Sequence, residues 1–238
     1  MVIGAIFAGG SGSRMGCAER PKQYLPLGEK PLLLHTIEKF YINPGLDKIL
    51  ILCPDRWLDA TRLLIEDAFG QTNRVTVTRG GQDRSSTLDR ALAYIKEHCA
   101  LDDETIIVTH DAVRPFVTQR IINENIETAK RVGACGTYIP ACDTIAESDD
   151  GERVDFVPER GRMWQTQTPQ SFNVKKLKTI LAQLTPAQRT NLTDVCAAFT
   201  LKGQPVHIIH GEVFNLKITY PYDLTVANAL LAAGAGQE

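Results

Sequence analysis

A glycine-rich stretch that directly follows the first apolar run constrains this chain more than any other feature. The run Val2–Phe7 predicts a buried first strand. The residues after it read Ala8-Gly9-Gly10-Ser11-Gly12-Ser13-Arg14-Met15-Gly16, and Pro21-Lys22-Gln23 follows shortly. Three glycines in four positions let the backbone turn sharply and lie close to a ligand. Successive backbone N–H groups in such a turn form a nest for phosphate oxygens. Since Arg14 and Lys22 add positive charge, the stretch is predicted to bind a triphosphate.

Two better-known phosphate loops do not fit this sequence. The dinucleotide fingerprint needs a third small residue three positions after its second glycine, where this chain has Met15. The P-loop needs a glycine, four residues and then Gly-Lys-Ser/Thr, a spacing that no glycine here begins. A flexible surface turn is the alternative, but the preceding strand and the two cations favour phosphate binding.

Composition narrows the class of protein. The chain has 238 residues, 43% of them hydrophobic, so it can bury one substantial core, and we expect a single domain over residues 1–238. A net charge of −2 argues against a nucleic-acid surface, and no apolar run approaches the ~20 residues of a membrane span. No export signal is recognisable. Six scattered cysteines without a Cys-x-x-Cys pair are typical of reduced thiols, which indicates a cytoplasmic protein.

A second candidate ligand loop reads Arg79-Gly80-Gly81-Gln82-Asp83-Arg84-Ser85-Ser86-Thr87. It follows a short predicted strand at 75–77 and leads into a predicted helix at 88–98. In this order, hydroxyl and backbone donors lie at a helix N-terminus, which is a ready site for an anion. The alternative is ordinary helix capping by Ser85 or Ser86. Both roles can hold together, so both stay open here.

A third candidate site follows the most apolar part of the chain. Residues 105–109 predict a central strand of a parallel sheet, and His110-Asp111-Ala112-Val113-Arg114-Pro115 comes next. Open α/β sheets bind ligands at the carboxyl ends of their strands. Asp111 is therefore a candidate ligand for Mg²⁺, which takes one or two carboxylates plus phosphates and water. Its alternative role is to cap the helix that begins near Thr118, and His110 is expected to be structural.

The last third of the chain adds an arm and a lysine. Residues 142–158 are polar, and Asp149-Asp150-Gly151 suits a hairpin turn, which predicts an arm that leaves the core. In the stretch Asn215-Leu216-Lys217-Ile218-Thr219, one lysine stands between two apolar residues. Lysines are seldom buried without a partner, so Lys217 is expected to meet an anion. A surface lysine is the alternative.

Taken in chain order, these motifs, together with Gln167-Thr168-Pro169-Gln170, closely resemble those of the sugar-alcohol phosphate cytidylyltransferases. The resemblance implies a single α/β, Rossmann-like nucleotidyltransferase domain with a mostly parallel sheet flanked by helices. It also implies a homodimer in which the arm, at about residues 142–160, reaches a second subunit. CTP and a polyol phosphate are the implied substrates, with Mg²⁺ bridging phosphates near Asp111. The residues expected to contact CTP are Phe7, Ala8, Gly9, Gly10, Gly81, Gln82, Asp83, Arg84, Ser85, Ser86, Thr87 and Ala112.

The same resemblance assigns the groups that handle charge. Arg14 and Lys22 are expected to hold the triphosphate and its developing charge. Lys217, and Arg160 from a second subunit, are expected to hold the acceptor phosphate. Asp111, Thr144 and Thr168 are expected to border the acceptor. A phosphate monoester is already an anionic nucleophile, so the reaction needs positioning and charge neutralisation rather than a protein nucleophile.

Two points stay open at this stage: which polyol phosphate is the acceptor, and whether the protein is an enzyme or only binds CTP. Among acceptors we expect ribitol 5-phosphate, because Phe7-Ala8-Gly9-Gly10 stands where the isoprenoid enzymes of this group usually read Pro-Ala-Ala-Gly, and Val113 where they usually carry alanine. The alternative acceptor is 2-C-methyl-D-erythritol 4-phosphate. A non-catalytic CTP-binding regulator is the other class of function, and the separate acceptor cations argue against it.

Overall fold

The computed structural model describes residues 1–10, 20–190, 192 and 194–236, so Arg14 lies outside the described residues. The strands, in chain order, are β1 (Val2–Phe7), β2 (Pro26–Leu27), β3 (Lys30–Pro31), β4 (Lys48–Cys53), β5 (Val75–Arg79), β6 (Ile106–Asp111), β7 (Ala134–Pro140), β8 (Trp164–Asn173) and β9 (His207–His210). The α-helices are α1 (Leu32–Tyr41), α2 (Leu58–Phe69), α3 (Arg84–His98), α4 (Gln119–Val132), α5 (Val174–Ala182), α6 (Pro186–Thr190), α7 (Val195–Thr200) and α8 (Pro221–Ala232).

The strands of the described ranges form a seven-stranded sheet in the order β5-β4-β1-β6-β8-β7-β9, besides the small β2–β3 pair. β1 is parallel to both β4 and β6, and the pairs β4–β5 and β7–β9 are also parallel. β8 is antiparallel to both of its neighbours. The predicted mostly parallel, Rossmann-like architecture is confirmed, but β8 was not predicted, because its sequence is polar and contains a proline.

Apolar side chains cover both faces of the sheet. One core cluster joins β1 and β6 to the apolar faces of α1, α2 and α4, and a second joins the opposite face to α3, α5 and α7. The central strands are apolar at nearly every position because each packs helices on both sides. A Cβ at Gly4 would lie 2.7 Å from the ring of Phe40, so glycine lets α1 pack closely on β1.

The chain changes direction in the sheet at β1. It runs outward from β1 to β4 and β5, and then returns to β6 on the other side of β1. A crevice forms at the carboxyl ends of two such strands, since their connections diverge. The N–H of Ala8 donates to the Leu52 carbonyl (2.8 Å) and the N–H of Ala112 to the Phe7 carbonyl (3.1 Å). These bonds bring the first glycine loop and Asp111 to the same edge.

The predicted arm leaves the sheet between β7 and β8. Pro140 and Trp164 are paired at its base, and Glu147 pairs with Phe156 within it. Three of its apolar side chains are at least half exposed: Val154 (63%), Phe156 (59%) and Val157 (50%). Within the described ranges, no helix combines the length and the apolar character that a membrane crossing requires.

Candidate functional site

A pocket opens at the carboxyl edge of the sheet, between the ends of β1 and β6 and the start of α3. Its lining residues are Phe7, Ala8, Gly9, Gly10, Lys22, Gln23, Gly81, Gln82, Asp83, Arg84, Thr87, Asp111, Ala112, Val113 and Lys217. Lys22 and all the residues expected to contact CTP, except Ser85 and Ser86, line this pocket. Arg14, also expected to hold the triphosphate, lies outside the described residues. Four segments that are distant in sequence, each singled out as a candidate for binding ligand or an anion, therefore share one cavity.

The first glycine loop is held at its start by a buried amide. The Nε2 of Gln23 donates to the carbonyls of Ala8 and Gly10, the second at 3.3 Å. Gln23 and Lys22 belong to a short 3-10 helix, Lys22–Tyr24, and both are buried. This helix therefore fixes both the direction of the loop and the position of the Lys22 side chain beside it.

The second loop is a tight cap on α3, which begins at Arg84 and not at the predicted residue 88. The Asp83 carboxylate accepts from the Ser86 N–H (2.7 Å), and the Ser86 hydroxyl bonds the same carboxylate. Thr87 Oγ1 accepts from the Gly81 N–H (3.0 Å) and donates to the Asp83 carbonyl (2.7 Å). The cap is thus Asp83, whereas the sequence suggested Ser85 or Ser86. A Cβ at Gly81 would overlap the Ser86 hydroxyl, so this turn requires glycine.

One buried carboxylate, that of Asp111, is the counter-ion of three cations. Arg84 Nη1 lies 2.5 Å from Oδ1, Lys217 Nζ lies 2.9 Å from Oδ2, and Arg114 Nε lies 3.8 Å from Oδ2. Burial alone would raise the pKa of Asp111, but the positive charges of Arg84, Lys217 and Arg114 hold it well below its usual range. Asp111 is therefore ionised, and Lys217 meets an anion as the sequence predicted.

A buried hydrogen-bonded chain lies behind Asp111. His110 Nε2 donates to the Arg114 carbonyl (3.0 Å), which can only accept. Burial lowers the pKa of His110 to about 4, so the ring is neutral and its Nδ1 accepts from the Thr168 hydroxyl (3.0 Å). The Thr168 oxygen in turn accepts from the Asp111 N–H (3.1 Å). His110 is structural, as expected. Thr168 holds the backbone of Asp111 in place, and the predicted contact of Thr168 with an acceptor stays a prediction.

Two predicted acceptor residues do not reach the pocket of their own chain. Thr144 and Arg160 are exposed on the arm, and Arg160 Nη1 donates to the Cys142 carbonyl (3.3 Å). Asp111 does not cap α4 either, because the Thr118 hydroxyl takes that role by accepting from the Ile121 N–H (3.3 Å). The structure therefore separates the arm residues from Asp111 and Lys217 within one chain.

Comparison with known proteins identifies the family. The sequence model of the IspD family, 2-C-methyl-D-erythritol 4-phosphate cytidylyltransferase, matches residues 2–233. The chain belongs to this family. It is accordingly a nucleotidyltransferase of the cytidylyltransferase class.

Solved structures agree with the IspD assignment. A 4-diphosphocytidyl-2C-methyl-D-erythritol synthase from Anaerococcus prevotii shares 27% identity, with a TM-score of 0.79 over 97% of this chain and 96% of that one. The 2-C-methyl-D-erythritol 4-phosphate cytidylyltransferase from Thermus thermophilus shares 26% identity, with a TM-score of 0.72 over 98% and 100%. The Francisella tularensis enzyme shares 25%, with a TM-score of 0.77 over 96% and 99%.

The carboxylates of this IspD-family pocket fit a metal that is held mainly by phosphates. Among the described residues, no group of three or more His, Cys, Asp or Glu side chains is arranged to hold an ion. Asp83 and Asp111 nevertheless line the pocket. A divalent ion such as Mg²⁺ commonly takes one or two carboxylates and completes its shell with phosphate oxygens and water, so the donor set is suitable.

Sequence reasoning missed three residues that organise the site: Gln23, Arg114 and Asn215. All three stand within motifs that were singled out, yet none was given a role. The signal was present, because a buried amide or guanidinium needs partners. What the sequence could not provide is the identity of those partners, which come from distant segments.

The neutral, buried His110 predicts a pH dependence of stability. Its pKa in the folded protein is about 4, against 6.5 ordinarily. Between these values the unfolded chain binds a proton that the folded chain does not, so stability falls as pH falls from 6.5 to 4, by about 3 kcal/mol in total. The free energies of unfolding of wild type and His110→Gln are measured in urea at several pH values across this range. When they are plotted against pH, the slope for His110→Gln should be lower than that for wild type by about 1.4 kcal/mol per pH unit. Equal slopes for the two proteins would contradict this account of His110.

Proposed function

We propose that this protein transfers the cytidylyl group of CTP to the phosphate of a small polyol phosphate and releases pyrophosphate. An acceptor phosphate oxygen attacks the α-phosphorus of CTP in line, a new P–O bond forms, and the bond to the β-phosphate oxygen breaks. The observation that carries the proposal is the shared pocket of the two glycine loops, Lys22 and the Asp111–Lys217 pair. Such a pocket brings two anionic substrates together without needing a protein nucleophile.

The narrow space between the two loops supports nucleotide binding. A Cβ at Gly9 would lie 3.5 Å from the Gly81 carbonyl oxygen and 3.7 Å from Thr87 Oγ1, so the two backbones approach closely. In our proposal the base and ribose lie against residues 81–87 and Ala112, and the phosphates extend over residues 7–10 toward Lys22. Arg14 then adds a second cation to the triphosphate.

The charges of the lining support the reaction class. Lys22, Arg84 and Lys217 border the pocket with Asp83 and Asp111, and Arg114 lies directly behind Asp111. Three cations against two anions leave the lining positive, which favours polyanionic substrates. Cations that are fixed where charge develops stabilise a transition state without reorganising. We assign Lys22 to the triphosphate and Lys217 to the acceptor phosphate.

Mg²⁺ is the proposed cofactor. Asp111 would hold it together with phosphate oxygens and water, and when bound it would neutralise part of the phosphate charge. The protein's own contribution is to keep Asp111 ionised and in place, through its cationic partners and through the Thr168 hydroxyl.

The arm supports a homodimer with composite sites. Its apolar side chains Val154, Phe156 and Val157 are exposed in one chain and would be covered by a second copy. Arg160 and Thr144 lie on the same arm, so exchange of the arm would bring them to the acceptor end of a neighbouring pocket. We also propose a cytoplasmic location, since Cys53, Cys99, Cys135, Cys142 and Cys196 are free thiols.

Two acceptors have specific support. The names of the family and of the similar structures favour 2-C-methyl-D-erythritol 4-phosphate, which was the alternative expectation from the sequence. Ribitol 5-phosphate remains the second candidate because Phe7, Gly9 and Val113, the three residues that depart from the usual isoprenoid-enzyme motifs, all line the pocket. The three solved structures named above share no more than 27% identity with this chain, and so the acceptor has to be measured.

A side-by-side assay decides the acceptor. Pyrophosphate release is measured with CTP, Mg²⁺ and each polyol phosphate in turn, and we expect release only when an acceptor is present. The kcat/KM should be at least about tenfold higher for one acceptor, because a pocket that hydrogen-bonds a hydroxyl strongly rejects an analogue that lacks it. A higher value for ribitol 5-phosphate would reverse the order of the two candidates. No release with either acceptor would contradict the proposed function, and full activity in excess chelator would contradict the role of Mg²⁺.

Subunit mixing tests the composite site. Arg160→Ala chains are mixed with Lys217→Ala chains under conditions of verified subunit exchange. Random pairing makes half of the dimers mixed, each with one restored site in two, so roughly a quarter of wild-type activity should return. Mixing Lys22→Ala with Lys217→Ala chains is the matched control and should restore nothing, since both residues line the same chain's pocket. No recovery in the first mixture would show that Arg160 and Lys217 act within one chain.

A further inference from the structure

The segment that carries Lys217 connects β9 to α8 and is fastened to the sheet by a buried amide. Asn215 is fully buried. Its Nδ2 donates to the Gln167 side-chain oxygen (3.1 Å) and to the Thr168 carbonyl (3.0 Å). Both acceptors belong to β8, next to the hydroxyl that supports Asp111. The two bonds therefore tie the segment to the same strand that supports the carboxylate.

Further hydrogen bonds run in the opposite direction, from β8 and from Arg114 to the segment that carries Lys217. The Gln167 Nε2 donates to the Glu212 carbonyl (2.9 Å), so each amide bonds the other's segment. Arg114 Nη1 donates to the Asn215 carbonyl (2.7 Å) while its Nε lies near Asp111. A Cβ at Gly211 would overlap the Gln167 side-chain oxygen, so the contact leaves no space for a larger residue.

A second anchor lies on the other side of Lys217. The Ile218 N–H donates to the Val113 carbonyl (3.0 Å), and the Ile218 side chain is fully buried with Leu27, Val113 and Phe116. Lys217 thus stands between two fixed points, and its Nζ reaches Asp111 although its side chain is 40% exposed. A long, flexible lysine is placed here by its backbone and by one ion pair.

We propose that Asn215 is a positioning residue that sets where the Lys217 ammonium lies in the pocket. This rests on the proposed function, in which Lys217 holds the acceptor phosphate. Without the Asn215 side chain, the Thr168 carbonyl and the Gln167 side-chain oxygen each lose a hydrogen-bond donor in a buried environment, which is unfavourable. The segment that carries Lys217 therefore relaxes away from β8. Displacement of a charged group by about 1 Å is enough to impair a phosphate-transfer site.

A matched pair of variants separates positioning from general stability. Asn43 is also fully buried, and its Nδ2 also donates two bonds, to Gln119 (2.7 Å) and Asn123 (2.8 Å). None of these three residues lines the pocket. Asn215→Ala should raise the acceptor KM at least about tenfold and leave the CTP KM within about twofold. Asn43→Ala should lower the Tm comparably and leave both KM values nearly unchanged. Equal kinetic effects of the two variants would overturn the proposal.

A readout without substrates keeps this test separate from the proposed function. Acetylation of Lys217 by acetic anhydride is followed by mass spectrometry, with the exposed Lys175 as the internal reference. The Lys217 rate should rise at least about threefold in Asn215→Ala, because the ion pair with Asp111 is weakened, and stay unchanged in Asn43→Ala. An unchanged rate in Asn215→Ala would overturn the proposal even if the enzyme proved to use another acceptor. If Asn215→Ala does not fold, Gln167→Leu removes one of the two Asn215 bonds together with the bond from Gln167 to the Glu212 carbonyl, and should raise the Lys217 rate in the same way.

Discussion

A buried carboxylate surrounded by three cations is the interaction on which the rest of this site depends. Asp111 ends the central strand β6, and the cations that meet it come from the start of α3, from the turn after β6 and from the segment before α8. The charges of Asp111, Arg84 and Arg114 are largely withdrawn from water, and each would be costly to bury alone. Their mutual neutralisation therefore requires that four parts of the chain adopt their final positions together.

This constraint also explains the electrostatic character of the pocket. The carboxylate pairs with Arg84 and Lys217, and Lys22 lines the same pocket from its own short helix. Positive charge is thus held in place before any substrate arrives, which is the condition for effective stabilisation of a charged transition state. The buried hydrogen bonds that Gln23 and Asn215 donate also fix the backbone beside Lys22 and Lys217.

Much of this arrangement could be predicted from local sequence. Apolar runs revealed the central strands, and glycine-rich stretches revealed the two loops, because both signals depend on neighbouring residues alone. β8 was missed because its polar sequence becomes a strand through pairing with β6 and β7. The start of α3 was placed too late, since the capping bond between Asp83 and Ser86 outweighs the weak helical pattern before residue 88. The partners of buried polar groups were beyond local prediction: Lys217 was expected to meet an anion, yet nothing in the sequence showed that the anion would include Asp111.

The free energy of unfolding of Asp111→Asn, measured in urea at neutral pH, tests the central role of this carboxylate most directly. The substitution keeps the shape of the side chain and removes the charge that Arg84, Arg114 and Lys217 share. Our account predicts a loss of about 3–5 kcal/mol, as expected when one partner of a buried ionic cluster is removed. The control Asp103→Asn, in the exposed pair with Lys175, should cost less than about 1 kcal/mol. An Asp111→Asn protein as stable as this control would contradict the account.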